Sequence, residues 1–448
     1  MQLQHALRLN SAPCLAFVGS GGKSTALFQL ASELNSPVVL TATTHLAASQ
    51  LSLTDRQITA ASPSDLSALE KEILRGVVLV TGSQVGERMK GVSDEVLNWL
   101  HAFCRVHALP LLVEADGSRQ RPLKAPAQHE PPIPSFVETA VVVAGLSALG
   151  QPLEDQFVHR LEIYTRLSGL SQGQSITSEA IARVLTHPDG GFKNLPPEAR
   201  RVSLLNQADS PELQAQGRFL ADLLLPDYEA VVIASLQQKT IHAVLEPVAG
   251  IILAAGESRR FGQPKQLLEY HGQAFVRVVA QTALAAGLAP VLVVTGSNAD
   301  AVENAVRDLP VKIVRNETWL DGQSSSIRAG LNALAPSPLQ TEKRHRGVGA
   351  AIFLLADQPQ VQTTVLRALL ERHAAGLFPI VAPLVQERRA NPVLFDRVTF
   401  SDLMALSDDI GGRAIFSKYP PTYLPWHDER LLLDVDKPED FEKLNRQD

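Results

Sequence analysis

The chain has 448 residues, more than one ordinary core accommodates, so two or three domains are expected. Hydrophobic residues make up 45% and charged residues 20%, as in a globular protein, and a net charge of −6 argues against a general nucleic-acid or membrane-surface binder. Cys14 and Cys104 are too few for a disulfide framework or a four-ligand zinc site; with no leader-like or membrane-length apolar run, a reducing cytoplasm is the expected setting.

Apolar, β-rich runs occur at 14–18, 37–41, 77–81, 110–115, 140–144, 202–205 and 230–235, then at 249–254, 290–295, 311–314, 351–356 and 379–384. Helical patterns such as 64–74 and 275–286 separate them, and this alternation predicts an α/β protein with parallel sheets covered on both faces. The strand series restarts near residue 248, so the expected architecture is two doubly wound, mostly parallel three-layer domains, 1–240 and 248–448, joined through 237–247.

The first domain opens with Phe17-Val18-Gly19-Ser20-Gly21-Gly22-Lys23-Ser24-Thr25 between a strand and a helix-forming run. Gly19, Gly21 and Gly22 would present backbone N–H groups to phosphates, Lys23 would reach the outer phosphates of ATP or GTP, and Ser24 would ligate Mg²⁺. Phe17 stands where a full Walker pattern has glycine, so the loop is P-loop-like and resembles the shortened form of Mur ligases. Glu114 and Asp116 close the apolar run Leu111-Leu112-Val113, and Asp116 is expected to hold metal or position water. Thr43, Thr44 and His45 follow another strand toward the same edge, where ligands of parallel sheets collect. Asn206-Gln207-Ala208-Asp209 resembles the Asn-Lys-x-Asp base-reading motif of GTPases; Asp209 there either accepts from a guanine edge or belongs to a strand-end turn. Arg119, Arg121 and Lys124 form either a phosphate contact or a solvated basic loop. Gly19 to Ser24, Thr43 to His45, Glu114 to Lys124 and Leu146 to Arg160 together resemble the YqeC-like family, across about residues 1–240. That resemblance implies nucleotide binding and a place in the maturation of selenium-dependent molybdenum hydroxylases, with a hydroxylase apoenzyme as partner.

In the second domain an apolar run ends in Leu253-Ala254-Ala255-Gly256-Glu257-Ser258-Arg259-Arg260-Phe261-Gly262-Gln263-Pro264-Lys265. Glycine lets the backbone approach phosphate oxygens, and Arg260 and Lys265 arrive at a spacing that surrounds a triphosphate. The run resembles the Leu-Ala-Ala-Gly-x-Ser-x-Arg-Met-Gly-x-Pro-Lys signature of MobA-like nucleotidyltransferases, in particular the molybdenum cofactor cytidylyltransferase branch, with Phe261 for Met. Asn316 to Ser326 matches the family's Asn-x-x-Trp-x-x-Gly-x-x-Ser-Ser segment, which implies that Gly322 and Ser326 meet base and ribose. Asp357 follows the apolar run Phe353-Leu354-Leu355 and is expected to hold Mg²⁺ against the α-phosphate. Asp434-Val435-Asp436-Lys437-Pro438 resembles the family's Asp-x-Asp-Thr-Pro; either aspartate reaches the metal and the other caps the last helix. Arg388-Arg389-Ala390-Asn391-Pro392 and Asp408 to Arg413 resemble the acceptor segments, so Arg389, Asn391 and Arg413 are expected at the acceptor phosphate, a solvated basic surface being the alternative for each arginine alone.

The resemblance, covering 248–448, implies a Rossmann-like nucleotidyltransferase that moves CMP from CTP to a molybdopterin-type cofactor with Mg²⁺. Lys265, Arg260 and Asp357 would act on the reacting phosphates, and Ala255 favours CTP because the GTP-using branch has glycine there. A sugar- or polyol-phosphate nucleotidyltransferase and a nucleotide-gated cofactor-delivery chaperone are the rival readings.

Overall fold

In the computed structural model, residues 1–34, 37–67, 69, 75–117, 119–257, 261, 263–334, 347–435 and 437–446 are described. The polypeptide divides into two compact units, Met1–Leu245 and Glu246–Asp448. Each is an α/β unit, and each apolar run read from the sequence is a strand. Among the described residues no helix is long and apolar enough to cross a membrane.

The first unit carries a nine-stranded sheet. In chain order its strands are β1 (Cys14–Gly19), β2 (Val38–Ala42), β3 (Arg56–Thr59), β4 (Val77–Thr81), β5 (Leu111–Glu114), β6 (Thr139–Gly145), β7 (Arg200–Asn206), β8 (Ala230–Ser235) and β9 (Thr240–Leu245). Across the sheet they run β9-β8-β7-β6-β1-β5-β2-β4-β3. The central strand β1 pairs in parallel with β6 and β5, so it is buried on both faces and reads as an unbroken apolar run. Only β9 is antiparallel, and it occupies the stretch read as a connector. Its hairpin through Leu236–Gln238 buries Ile241, Ala243 and Val244, which binds that segment to the first unit. Helix α1 (Lys23–Glu33) starts directly from the glycine turn that ends β1. Of the helical pattern expected at 64–74, Pro63–Leu66 is a 3₁₀ turn and most of the remainder lies outside the described residues.

The second unit carries an eight-stranded sheet. Its strands are β10 (Val248–Ala254), β11 (Val291–Thr295), β12 (Lys312–Arg315), β13 (Ala350–Leu355), β14 (Ile380–Val385), β15 (Arg388–Arg389), β16 (Val393–Asp396) and β17 (Thr422–Pro425). The order is β12-β11-β10-β13-β16-β14-β15, with β17 also on β14. The strands β12 to β13 are parallel, and β16 reverses direction against β13. Helices α2 (Phe275–Ala285) and α4 (Thr363–Ala374) cover one face, and α3 (Gln323–Asn332), which lies between them in sequence, covers the other. The close seat of α3 depends on Gly330, where a Cβ would stand 2.6 Å from Ile251 Cγ2 and 3.5 Å from Val294 Cγ2.

Those neighbours are β-branched and held by the sheet, so Gly330→Ala is expected to destabilise the second unit by about 1–3 kcal/mol through overpacking. The measurement is the urea midpoint followed through Trp319 fluorescence; an unchanged midpoint would show that α3 lifts without cost.

Candidate functional site

In the second unit β10 runs out at Ala254, and the next residues border a cleft of about 540 Å³ at the carboxyl edge of the sheet. Ala254, Ala255, Gly256, Lys265, Gly322, Ser326 and Asp357, read as site residues from the sequence, all line it. Lys265 is buried, and its Nζ lies 3.7 Å from Asp357 Oδ2, whose side chain keeps 35% of its surface exposed toward the cleft. The adjacent Gln266 is also buried and donates from Nε2 to the Gly256 carbonyl at 3.1 Å, which fixes the exit of the glycine turn. Arg260 and Asp436 lie outside the described residues. Asp434 does not line the cleft; its Oδ1 accepts from Gln358 Nε2 at 2.6 Å, one residue beyond Asp357.

The opposite wall is the start of α3. Asn316 is a buried hub whose Nδ2 donates to Ser325 Oγ at 2.8 Å and Ser326 Oγ at 3.0 Å, while its Oδ1 accepts the Thr318 N–H. That network holds Trp319 at the cleft, a contact the sequence reading quoted without a role. Gly322 has φ +89°, and a Cβ on it would lie 2.5 Å from Asp409 Cα, so the turn into α3 requires glycine. Asp409 caps α3 from 86 residues away, its Oδ1 accepting the Gln323 N–H at 3.1 Å. No local pattern marks that cap; the only hint is that the helix start carries no capping side chain of its own.

Leu253, Gln323, Leu355 and Asp409 also border a second cleft of about 380 Å³, which contains Arg389, Asn391 and Arg413. The residues expected at the acceptor are thus brought together beside the first cleft. The Arg389 guanidinium lies over the Phe416 ring at 5.2 Å, an arrangement that orients it as well as charging the cleft.

In the first unit the phosphate-loop lysine is also buried. Lys23 Nζ donates to the Gly19 carbonyl at 2.6 Å and pairs with Asp116 Oδ1 at 3.1 Å. Asp116 Oδ2 meets Lys124 Nζ at 2.7 Å, Lys124 meets Glu130 at 2.8 Å, and Arg160 grips both oxygens of Glu130 at 2.6 Å. Asp116, expected with Ser24 at a metal, therefore spends its carboxylate on two lysines. The acid that meets Ser24 is Glu114, whose Oε2 accepts from Ser24 Oγ at 2.9 Å and whose pKa burial raises. The Arg121 carbonyl accepts the Gly21 N–H at 3.1 Å. Glu130 and Arg160 carried no role in the sequence reading, since their meeting depends on a fold-level contact.

In both units a glycine turn follows a central strand and a lysine faces a carboxylate from the neighbouring parallel strand, at the sheet edge where ligands of parallel sheets collect. The comparisons divide the same way. Residues 15–162 match the YqeC protein family, and residues 250–422 match the MobA-like NTP transferase domain. The uncharacterized protein YqeC of Escherichia coli K12 is 31% identical over 230 residues, spanning 50% of this chain and 88% of that protein. Nicotine blue oxidoreductase of Paenarthrobacter nicotinovorans is 33% identical over 207 residues, spanning 44% of this chain and 96% of that one. The solved structure of Rv0371c from Mycobacterium tuberculosis H37Rv is 27% identical, covers 45% of this chain and 98% of that chain, and gives a TM-score of 0.39. The chain belongs to the YqeC family through its first half and to the MobA-like NTP transferase family through its second, as a fusion of the two.

The charges around Glu130 and His159 predict that acid destabilises the first unit. Burial, then repulsion from Arg160, Lys124 and Arg119, lowers the pKa of His159 to about 4. Burial alone would raise Glu130, but hydrogen bonds from Arg160 and Lys124 outweigh it and bring the carboxyl to about 2. Both groups bind a proton more readily unfolded than folded, so their stabilisation is complete above the unfolded values and is lost as pH falls. For His159 the window runs from roughly 6.5 down to its folded value. Urea unfolding of a Trp319→Phe, Trp426→Phe chain, read through Trp99, is expected to shift to lower urea across that window, and His159→Gln to flatten the shift. Identical slopes with and without His159 would contradict the assignment.

Proposed function

We propose that the second unit transfers CMP from CTP to the terminal phosphate of a molybdopterin-type cofactor, releasing pyrophosphate. The first unit is proposed as a nucleotide-binding accessory to the maturation of a molybdenum hydroxylase in the cytoplasm. The observation that carries the reading is the Lys265–Asp357 pair at 3.7 Å on the floor of a nucleotide-sized cleft that continues into the Arg389, Asn391 and Arg413 cleft. One cleft takes the donor and the other the phosphorylated acceptor.

In this reading the backbone after Ala254 approaches the triphosphate, which Gly256 permits because it bears no side chain. Lys265, buried in the cleft wall, stabilises the negative charge that develops on the phosphate oxygens. Arg260 supplies a second cation in the same role. Arg389 and Arg413 clamp the acceptor phosphate, with Asn391 beside them, and align it with the α-phosphorus for in-line displacement. Acceptor oxygen and α-phosphorus form the new bond as the bond to the β-phosphate's bridging oxygen breaks, so no side-chain nucleophile is required. Gly322 and Ser326 face the base and ribose, and the Ala255 methyl narrows the pocket in favour of cytosine.

The donor set fits magnesium. Asp357 offers an oxygen ligand at the cleft, and no group of three or more His, Cys, Asp or Glu that could form an all-protein cage occurs among the described residues. That suits an ion that takes one or two carboxylates and completes its shell with water and substrate phosphates. Asp357 would hold it, and when bound it supplies charge neutralisation at the phosphates. For the first unit the fit at Ser24 is with Glu114 rather than Asp116.

The relative named for nicotine blue oxidation acts, by that name, on a redox substrate. The cleft is lined by Lys265, the Gln266 and Gln323 amides, the Ser326 hydroxyl and the carboxylates of Glu257, Asp357 and Asp409, groups suited to phosphate chemistry, and the test separates the two because redox turnover releases no pyrophosphate. Asp357→Asn is expected to lower pyrophosphate release with CTP and the molybdopterin cofactor by roughly 10²–10³-fold, with much less effect on CTP binding. Near-normal release by this variant at saturating magnesium would remove Asp357 from the chemistry.

A further inference from the structure

Strand β7 leaves the sheet of the first unit at Asn206, which is buried to 3% exposure although it is an amide at a strand end. Its Nδ2 donates to the Gly21 carbonyl in the phosphate loop at 2.7 Å, and its Oδ1 accepts the Leu236 N–H, in the turn after β8, at 3.0 Å. One side chain thereby ties the ends of β1, β7 and β8 together. The approach is close enough that a Cβ on Gly22, at φ +130°, would stand 2.2 Å from Asn206 Nδ2. Gln207 then turns the chain at φ +63°, with its Oε1 accepting Ser147 Oγ at 2.6 Å, and the Ala208 N–H donates to the Ala234 carbonyl at 3.0 Å. These bonds fix the turn and leave Asp209 exposed beyond it.

A separate observation says what the braced loops enclose. A cleft of about 470 Å³ runs from Ser24 and Thr25, in the first turn of α1, to Leu236, Gln237 and Lys239 across from them. The phosphate-binding end and the turn anchored by Asn206 are therefore opposite walls of one space of nucleotide size. Asp209 stands three residues beyond Asn206, outside the residues that line this cleft, and its charge acts on His242 of β9, next to the Leu236–Lys239 turn that does line it.

We propose that the first unit binds a guanine nucleoside di- or triphosphate, with Asp209 accepting from the base. The proposal rests on the reading that this unit binds a nucleotide and names which one. An ionised carboxylate is an acceptor only. Guanine presents the N1 proton and the 2-amino group side by side, two donors matched to two carboxylate oxygens. Adenine presents a lone pair at N1 and a carbon-bound hydrogen at the same edge, so a carboxylate there repels it. Cytosine presents acceptors at N3 and O2 and is disfavoured for the same reason.

The test is binding of mant-GDP, mant-ADP and mant-XDP to the full-length protein and to two variants. Xanthine carries a 2-oxo group in place of the amine, so an amide at residue 209 complements it where a carboxylate does not. The wild-type chain is expected to bind mant-GDP roughly tenfold or more tighter than mant-ADP. Lys23→Ala should remove that binding, which assigns it to the first unit. Asp209→Asn should weaken mant-GDP by roughly tenfold or more and gain mant-XDP, a gain that misfolding does not produce. Equal or tighter Lys23-dependent binding of mant-ADP, or an unchanged GDP-to-XDP ratio in Asp209→Asn, overturns the guanine assignment and leaves nucleotide binding by the first unit standing. Loss of no signal in Lys23→Ala, with all three probes, overturns both.

Discussion

A lysine ammonium taken out of water needs a carboxylate, and in both units that carboxylate comes from the same place in the fold. Lys23 is 3% exposed and Lys265 9%, which without a partner would cost several kcal/mol or force each to lose its proton. Asp116 stands two residues beyond Glu114, the end of β5, and Asp357 two residues beyond Leu355, the end of β13. Each of those strands pairs in parallel with the strand that feeds its glycine turn. Parallel pairing brings both carboxyl ends to one edge, so the turn, the cation and the acid meet without any local sequence signal linking them.

The two pairs differ in what else they touch, and the difference separates their chemistry. Asp116 is shared between Lys23 at 3.1 Å and Lys124 at 2.7 Å, and the chain of ions continues through Glu130 to Arg160. That is a closed, buried network that specifies the position of the loop. The second pair is looser at 3.7 Å, and its acid faces a cleft. The pair that faces a cleft lies in the unit that matches the MobA-like NTP transferase domain, and the closed network lies in the YqeC half.

Much of the architecture was legible because strands of parallel sheets are continuous apolar runs, as in Leu15-Ala16-Phe17-Val18 and Ile251-Ile252-Leu253, and such runs have few other uses. The exception is β9, Thr240–Leu245, whose weaker alternation at a sheet edge reads as a connector. Ala255, Gly256, Lys265 and Asp357, which the sequence singles out by their places after strand ends, are brought together at one cleft. The partners that fix their positions were not legible. Asp409 reaches Gln323 across 86 residues, Asn206 reaches Gly21 across 185, and Ser24 meets Glu114 rather than the equally plausible Asp116. Such pairings are decided by strand order, which local periodicity does not encode.

The central claim is that the second unit moves a nucleotidyl group, and the fate of the phosphorus atoms of CTP tests it most directly. The full-length protein is incubated with magnesium, the molybdopterin cofactor and CTP labelled at either the α- or the γ-phosphorus, with GTP labelled in parallel. The account predicts α-label in the cofactor product, γ-label in pyrophosphate, and faster transfer from CTP than from GTP. Label from the γ-position in the cofactor, or α-label recovered only as free CMP, would contradict nucleotidyl transfer; equal or faster transfer from GTP would contradict the cytidylyl assignment.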